Sequence, residues 1–173
     1  MVEFKDALER DGSLNLEKLI QPHPRQTEFL HSIYKYKRVL YGGARGGGKS
    51  YLLRWALVHF LFWCSSQGLR KVRVGLFCAT YGDLWLRQIV KVNQEFPEEF
   101  GEFNEKHMEF RFLPKWGGHV IQFCNLADPT AYQSAEFAAI AIDEITLVPD
   151  LAETFSILTG SLRWTGLSWC PMF

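Results

Sequence analysis

The segment "YGGARGGGKS", residues 41–50, carries five glycines in ten positions and follows the short apolar run "RVL". Glycine adopts backbone angles that side chains forbid, and it lets other groups approach the backbone closely. From Gly43 to Ser50 the segment fits the pattern G-x-x-x-x-G-K-[ST], in which backbone N–H groups wrap the phosphates of a nucleotide. A strand is predicted before the segment and a helix after it, as this phosphate loop requires. The alternative, a flexible glycine-rich loop without a ligand, does not need that context.

Each residue type in the loop has a chemical role. The free N–H groups and the positive dipole end of the following helix favour phosphate. Lys49 adds a positive charge at the β- and γ-phosphates, and Ser50 adds a hydroxyl ligand for Mg²⁺. The guanidinium of Arg45 either reaches the γ-phosphate, where it would stabilise transition-state charge, or faces solvent. The predicted nucleotide contacts in this segment are Gly43, Ala44, Arg45, Gly46, Gly47, Gly48, Lys49, Ser50 and Tyr51.

An apolar run that ends in two acids, "FAAIAIDE" (residues 137–144), supplies the second element that a phosphate-loop enzyme needs. Asp143, at the tip of the predicted strand, is suited to hold a water of the Mg²⁺ shell. Adjacent side chains at a strand end diverge, so Glu144 can align a water with the γ-phosphate. A glutamate directly after the aspartate favours a hydrolase, and the chain has no guanine-reading N-K-x-D motif. The predicted ligands are therefore ATP and Mg²⁺, with Glu144, Arg45 and Lys49 as the catalytic residues.

A glutamine ahead of the loop is a further candidate. Gln26, in "PHPRQTEFL", carries an amide that can hydrogen-bond an adenine edge with both a donor and an acceptor. The plainer interpretation is an exposed glutamine on the surface of a helix. The sequence leaves both interpretations open.

Helical and strand patterns alternate along the chain. Helices are predicted over residues 25–36, 49–66, 83–96 and 149–159, the last with Gly160 past its end. Strands are predicted over residues 38–43, 71–79, 108–113, 119–125, 137–144 and 167–173, of which 38–43 reads as a buried strand and 108–125 as a hairpin. Because several strands are apolar on both faces, the pattern predicts an α/β domain with a mainly parallel sheet. The order of these predicted elements divides the chain into a polar lead-in, residues 1–21, and one domain, residues 22–173.

Composition narrows the function classes. The formal net charge of the 173 residues is zero, so the whole chain lacks the basic excess that is usual for nucleic-acid-binding domains. The four cysteines form no C-x-x-C pair and the five histidines show no ligand spacing, which argues against a structural zinc site. The longest apolar stretch, "WALVHFLFWC", is about half the length of a membrane span. We therefore expect an intracellular protein with reduced cysteines.

Several segments together resemble the N-terminal ATPase domain of the large terminase subunit of tailed bacteriophages. A proline-and-glutamine segment, "PHPRQTEFLHS", precedes the loop strand, and the loop itself carries an arginine, "GGARGGGKS". The segment "DPTAYQSAEFAAIAIDE" resembles the family pattern P-x-x-Y-[QR]-[GS]-x-E-[FY] before the acidic strand, and "LTGSLRW" resembles a helix that ends in Ser-x-Arg. The resemblance runs from about Pro22 to the last residue. It implies a phosphate-loop NTPase of the additional-strand, catalytic-glutamate type.

The resemblance also assigns roles to individual residues. It implies that the loop and Asp143 bind phosphate and Mg²⁺, that Glu144 activates water, and that Arg45 senses or stabilises the γ-phosphate. Gln26 would contact adenine, and Arg163 would lie near a coupling or inter-subunit surface. The implied function is ATP hydrolysis that moves double-stranded DNA into a procapsid. The implied partners are portal protein, small terminase subunit and further copies in a ring, in the host cell cytoplasm and away from any membrane.

Two family features are missing from the sequence: a coupling motif after the Ser-x-Arg helix, and an RNase-H-like nuclease domain. We therefore interpret the chain as a fragment or truncated product and expect no nuclease activity from it. Arg87, on an amphipathic helix, is a candidate for an arginine that reaches a neighbouring subunit. Two alternatives stay open, a helicase-like or recombinase-like DNA-translocating ATPase and a non-catalytic module that binds nucleotide as a switch.

Overall fold

The computed structural model describes residues 4–43 and 46–173. Its strands are β1 (Arg73–Cys78), β2 (Gly101–Asn104), β3 (Glu109–Phe112), β4 (Val120–Asn125) and β5 (Ile140–Ile142). Its α-helices are α1 (Leu16–Ile20), α2 (Pro24–Ser32), α3 (Lys49–Ser66), α4 (Tyr81–Asp83), α5 (Val90–Glu95) and α6 (Leu151–Ser161). A π-helical segment, Leu84–Ile89, joins α4 to α5 without a break.

The sheet is mixed, with the strand order β2-β3-β4-β1-β5. The three strands β4, β1 and β5 run parallel, whereas β2 and β3 add an antiparallel extension at one edge. Every residue of β1 after Arg73 is buried, as expected for a parallel strand covered on both faces. The α/β prediction is confirmed, and the predicted parallel character holds for the three strands nearest the acidic pair. No pattern in the sequence indicated β2.

The segment ahead of the phosphate loop differs from the prediction of a buried strand. Arg38 forms a single parallel bridge to Met172, and Leu40 is 80% exposed. Met172 in turn bridges to Ile140 of β5, so the last residues lie between β5 and the loop segment. Backbone bonds from Val39 N–H to the Met172 carbonyl (3.0 Å) and from Phe173 N–H to the Ile140 carbonyl (2.9 Å) continue the sheet in that direction. The predicted strand is thus a segment at the sheet edge with one isolated bridge, and its apolar residues are partly buried or, at Leu40, exposed.

Three helices also differ from the predictions, and the first of them, predicted over residues 25–36, ends at Ser32. The helix predicted over residues 83–96 contains the π-helical turn at its centre, where hydrogen bonds reach five residues back. Gly160 lies inside α6, which ends at Ser161, so this glycine does not terminate the helix. In contrast, α3 has the predicted bounds, and Gly68 follows it with a φ of 81°, a left-handed angle that favours glycine at a helix end.

A large aromatic cluster fixes α3 against the sheet. Trp55 of α3 packs edge-on against Phe96 at 5.2 Å between ring centroids, and Phe96 and Phe112 both contact the fully buried Phe100. The lead-in helix α1 buries its apolar residues in the same core. Because α3 also contacts β1 and β5, this packing brings the first turn of α3 close to the end of β5.

The buried side chain of His119 should make the free energy of unfolding depend on pH. His119 Nδ1 accepts the Val72 N–H at 3.0 Å, and Nε2 lies 2.7 Å from Ser65 Oγ, so the neutral ring is satisfied at both nitrogens. Burial lowers the pKa of His119 to about 4. The unfolded chain, with an ordinary histidine pKa of about 6.5, binds this proton first as the pH falls.

We therefore expect the free energy of unfolding to fall by about 2 kcal/mol between pH 7 and pH 5 because of this residue. Urea unfolding at both pH values measures the change in wild type and in His119→Gln. The exposed His107 offers a control, since His107→Gln should retain the full pH dependence. An equal pH dependence in the His119→Gln protein would contradict the assignment.

Candidate active site

The phosphate-loop segment leads directly into α3. Gly48 is the N-cap of α3 with a φ of 68°, and Gly46 has a φ of 80°. Both angles lie in the left-handed region, where a side chain would strain the backbone. A Cβ at Gly48 would also stand only 3.0 Å from Gln26 Nε2. The glycines are thus required by both conformation and close approach. The predicted contacts at Ala44 and Arg45 lie outside the described residues.

Lys49 is the first residue of α3 and points back over the loop. Its Nζ donates a hydrogen bond of 2.9 Å to the carbonyl oxygen of Gly43. The ammonium group is therefore held on the loop side of the helix start. This is the position in which a lysine can act as a point charge for phosphate.

Ser50 and Asp143 meet although they are 93 positions apart in the sequence. Ser50 Oγ donates to Asp143 Oδ2 at 2.7 Å, which joins the first turn of α3 to the end of β5. Asp143 is only 4% exposed, and its backbone N–H bonds to the Phe77 carbonyl of β1 at 2.8 Å. A hydroxyl and a carboxylate thus meet at one partly buried point, and both are hard oxygen donors of the kind that Mg²⁺ prefers.

Glu144 turns away from Asp143. Its φ of 51° is a left-handed angle, and it precedes the 3₁₀ turn Ile145–Leu147. Such an angle costs a residue with a side chain about 1–2 kcal/mol, and strain of this kind clusters at functional sites. The Glu144 side chain is 40% exposed and forms an ion pair with Arg87. The adjacent acids therefore diverge, as predicted from the strand end.

Arg87 lies between two acids of its own chain. Besides pairing with Glu144, its Nε lies 3.2 Å from Asp83 Oδ1, one helical turn away. The hydrogen bond to Glu144 raises the pKa of Arg87 above its usual value. The sequence suggested Arg87 as a residue for a neighbouring subunit, whereas here it contacts Glu144 of its own chain.

A cavity of about 800 Å³ lies beside these groups, within the range of small-molecule sites. Lys49, Asp143 and Glu144 line one part of it together with the loop backbone at Gly42 and Gly43. The rest of the lining is largely apolar and includes Leu147, Leu151, Phe155 and Phe173. One concave site thus combines a loop for phosphates, two divergent acids and an apolar wall.

The fold matches known proteins, although no family model and no curated protein matches the chain. The large terminase of the thermophilic bacteriophage D6E superimposes with a TM-score of 0.67 over 86% of this chain and 37% of its own length, at 14% identity. For the large terminase of bacteriophage HK97 the TM-score is 0.60 over 87% and 32%, at 14% identity. The ATPase domain of the Thermus phage P74-26 large terminase gives 0.52 over 96% and 68%, also at 14% identity.

The chain has the fold of a large-terminase ATPase domain. It spans about a third of the length of the D6E and HK97 proteins. The D6E terminase has also been solved with ATP-γ-S, and that complex superimposes with a TM-score of 0.65 at 13% identity. At such low identity the likeness establishes the fold, and the roles of individual residues rest on the geometry above.

Within this terminase ATPase fold, Gln26 is buried rather than exposed, so the interpretation as a surface glutamine is wrong. Its Oε1 accepts the His23 N–H at 3.1 Å and completes the capping of α2. Its Nε2 faces the phosphate loop at Gly48. Gln26 thus ties the segment before the loop to the start of α3.

Two other predicted residues have partners outside the acidic pair. The Tyr51 hydroxyl donates to the Ile20 carbonyl at 3.1 Å and links α3 to the lead-in helix. Arg163 pairs with Glu136 at 2.9 Å and lines a separate cavity with Lys37. In this terminase ATPase fold Arg163 therefore lies apart from Asp143 and Glu144.

Gln88, which was not among the residues predicted from the sequence, donates from Nε2 to Asp143 Oδ2 at 2.7 Å. The sequence held one signal for Gln88, since it lies four positions after Leu84 and four before Val92 and is therefore a polar residue in an apolar stripe of the helix. In the structure all three side chains are buried. A buried polar side chain implies a partner, although the sequence does not say which one.

Within residues 4–43 and 46–173, none of the helices combines the length and apolar character that crossing a membrane requires. The same residues contain no cluster of three or more His, Cys, Asp or Glu side chains suited to a metal ion. The candidate Mg²⁺ site at Ser50 and Asp143 is of another kind, since in phosphate-loop proteins the substrate phosphates complete the metal shell.

Proposed function

We propose that this chain is the ATPase domain of a large terminase, a Mg²⁺-dependent ATP hydrolase that drives double-stranded DNA into a procapsid. The observation that carries the proposal is the 2.7 Å hydrogen bond between Ser50 and Asp143, which joins the phosphate-loop helix to the acidic strand. Lys49 and Glu144 line the same cavity. These four side chains are the set that ATP hydrolysis on a phosphate loop needs.

Each group has a definite task in this reaction. Lys49 and the loop N–H groups bind the β- and γ-phosphates, and Gln26 contributes its amide NH₂ toward adenine. Ser50 and Asp143 would hold Mg²⁺, which neutralises charge on the phosphates when it is bound. Glu144 accepts the proton of the attacking water, and Arg45 stabilises charge on the γ-phosphate. The role of Arg45 rests on its position in the sequence motif.

The packaging role rests on the fold that the chain shares with terminases. In this proposal the chain works in the host cytoplasm as part of a ring of identical subunits, with portal protein and small terminase subunit as partners. The ring acts on double-stranded DNA. Since the chain spans about a third of the D6E and HK97 terminases, translocation would also need regions of the full-length protein.

Phosphate release from ATP tests the enzymatic part of the proposal. The purified chain is incubated with ATP and Mg²⁺, with ATP and EDTA, and with ATP, Mg²⁺ and linear duplex DNA. We expect phosphate release that requires Mg²⁺. Nucleotide binding without any Mg²⁺-dependent phosphate release, over a range of protein concentrations, would favour a nucleotide switch instead.

The pairing of Glu144 with Arg87 predicts a further effect. The guanidinium of Arg87 competes with the attacking water for the Glu144 carboxylate. An exposed ion pair contributes about 0.2–1 kcal/mol, so Arg87→Met should raise the rate of ATP hydrolysis by up to about fivefold. Steady-state turnover measures this, and Arg10→Met, which removes an exposed arginine of the lead-in, serves as the control. A fall of tenfold or more would show instead that Arg87 assists the reaction.

A further inference from the structure

We infer that Gln88 is a positioning residue, which holds the carboxylate of Asp143 in place for Mg²⁺ and is itself oriented by Arg54. This inference rests on the proposed function, because it concerns the same metal site. It adds a relay of hydrogen-bonded side chains, buried at its centre, that runs from the end of α5 to the phosphate loop. The relay consists of Glu95, Arg54, Gln88, Asp143 and Ser50.

The two hydrogen bonds of Gln88 fix the orientation of its amide. Arg54 Nη1 donates to Gln88 Oε1 at 2.8 Å, and Gln88 Nε2 donates to Asp143 Oδ2 at 2.7 Å. A guanidinium can only donate and an ionised carboxylate can only accept, so the amide has one orientation that satisfies both neighbours. Gln88 is fully buried, and Arg54 and Asp143 are 3% and 4% exposed. Water therefore has little access to either bond.

Arg54 is itself held on several sides. Its Nε and Nη2 bind the two carboxylate oxygens of Glu95 at 2.9 and 2.6 Å, a bidentate pair that compensates the buried charge. Its Nη1 also donates to the Arg87 carbonyl at 2.9 Å. Arg54 is therefore hydrogen-bonded at every nitrogen and has little freedom to move. Its bond to Gln88 restricts that side chain in turn, and Gln88 restricts the Asp143 carboxylate.

The π-helical turn explains how one short segment reaches both acids. The Val90 N–H bonds to the Trp85 carbonyl five residues back, so the helix is wider here than an α-helix. Consecutive residues of this turn contact consecutive acids, Arg87 with Glu144 and Gln88 with Asp143. Such turns are frequent at functional sites, and this one lies against the proposed metal site.

Asp143 Oδ2 accepts hydrogen bonds from both Ser50 and Gln88. Two donors on one oxygen fix the plane of the carboxylate and therefore the direction of the other oxygen, Oδ1. Without Gln88 the carboxylate could rotate about its last bond. Partners that orient a metal-binding carboxylate typically change metal affinity or activity by about 10–100-fold when removed.

The test is the Mg²⁺ dependence of nucleotide binding in Gln88→Met, which keeps the length of the side chain and removes its donor. Fluorescent methylanthraniloyl-ADP is titrated without metal and at increasing Mg²⁺ concentrations. We expect the Mg²⁺ midpoint to rise by about 10–100-fold, with metal-free ADP affinity within about twofold of wild type. Gln94→Met, an exposed glutamine on the same helix, is the matched control and should behave as wild type.

The outcomes separate the inference from the proposed function. If wild type binds ADP neither with nor without Mg²⁺, the proposed function fails. If wild type shows the Mg²⁺ dependence and Gln88→Met has the same midpoint, the function stands and the inference is wrong. Far-ultraviolet circular dichroism and the unfolding midpoint without nucleotide establish that the variant is folded. Should Gln88→Met not fold, Gln88→Leu decides, since leucine likewise has no donor for Asp143, and an unchanged midpoint there would equally overturn the inference.

Discussion

Replacing Glu144 by glutamine is expected to leave ATP binding intact and to slow ATP hydrolysis by about 10²–10⁴-fold. Glutamine keeps the size of the side chain but cannot accept a proton from the attacking water. Because Glu144 diverges from the buried Asp143, the change should not disturb the Mg²⁺ site. Nucleotide binding by fluorescence and phosphate release in single-turnover conditions measure the two effects separately.

Asp143→Asn and Glu98→Gln complete this experiment. Asp143→Asn should raise the Mg²⁺ concentration needed for binding, because it removes the charge next to Ser50. Glu98→Gln, at an exposed position, should leave both activities unchanged. Equal losses of affinity in the Asp143 and Glu144 variants, with turnover intact, would show that the division of roles between the two acids is wrong.

Lys49→Ala is expected to weaken ATP binding at least tenfold. Charge-assisted hydrogen bonds contribute about 1.5–3 kcal/mol each, which corresponds to about 10–150-fold in affinity. The lysine also bonds to the Gly43 carbonyl at 2.9 Å, so its loss affects the loop as well as the ligand. Isothermal titration with a non-hydrolysable ATP analogue measures the affinity, and Lys106→Ala, an exposed lysine, is the control. Unchanged binding and hydrolysis in Lys49→Ala would contradict the phosphate-loop assignment.

Local patterns predicted the phosphate loop, the helix after it and the adjacent acids, because each depends on a few neighbouring residues. The glycines and the following apolar run determine the start and length of α3. The meeting of Ser50 with Asp143 follows from the known mechanism of such loops rather than from periodicity. Such assignments can be made from a sequence because the chemistry itself dictates the spacing, and the roles of the residues stay predictions.

Features that depend on distant contacts were not predictable in the same way. The apolar letters of residues 38–41 fit a buried strand, but burial depends on how many neighbours the sheet supplies, and Leu40 lies at an edge. The partner of Gln88 lies 55 positions away, and the π-helical turn that directs it has no sequence signature of its own. The contact of Arg87 was not predictable either. The periodicity of its segment indicated an amphipathic helix but did not indicate whether Arg87 contacts its own chain or a neighbouring one.

The left-handed backbone at Glu144 sets stability against activity at a single position. Glycine or asparagine would suit a φ of 51° better than glutamate does, and relieving the angle would recover part of the strain. A population selected only for resistance to heat would therefore drift away from glutamate at this residue, and would lose the proposed base as it did so. Selection for catalysis would keep glutamate at this position, whereas selection for folding alone would not.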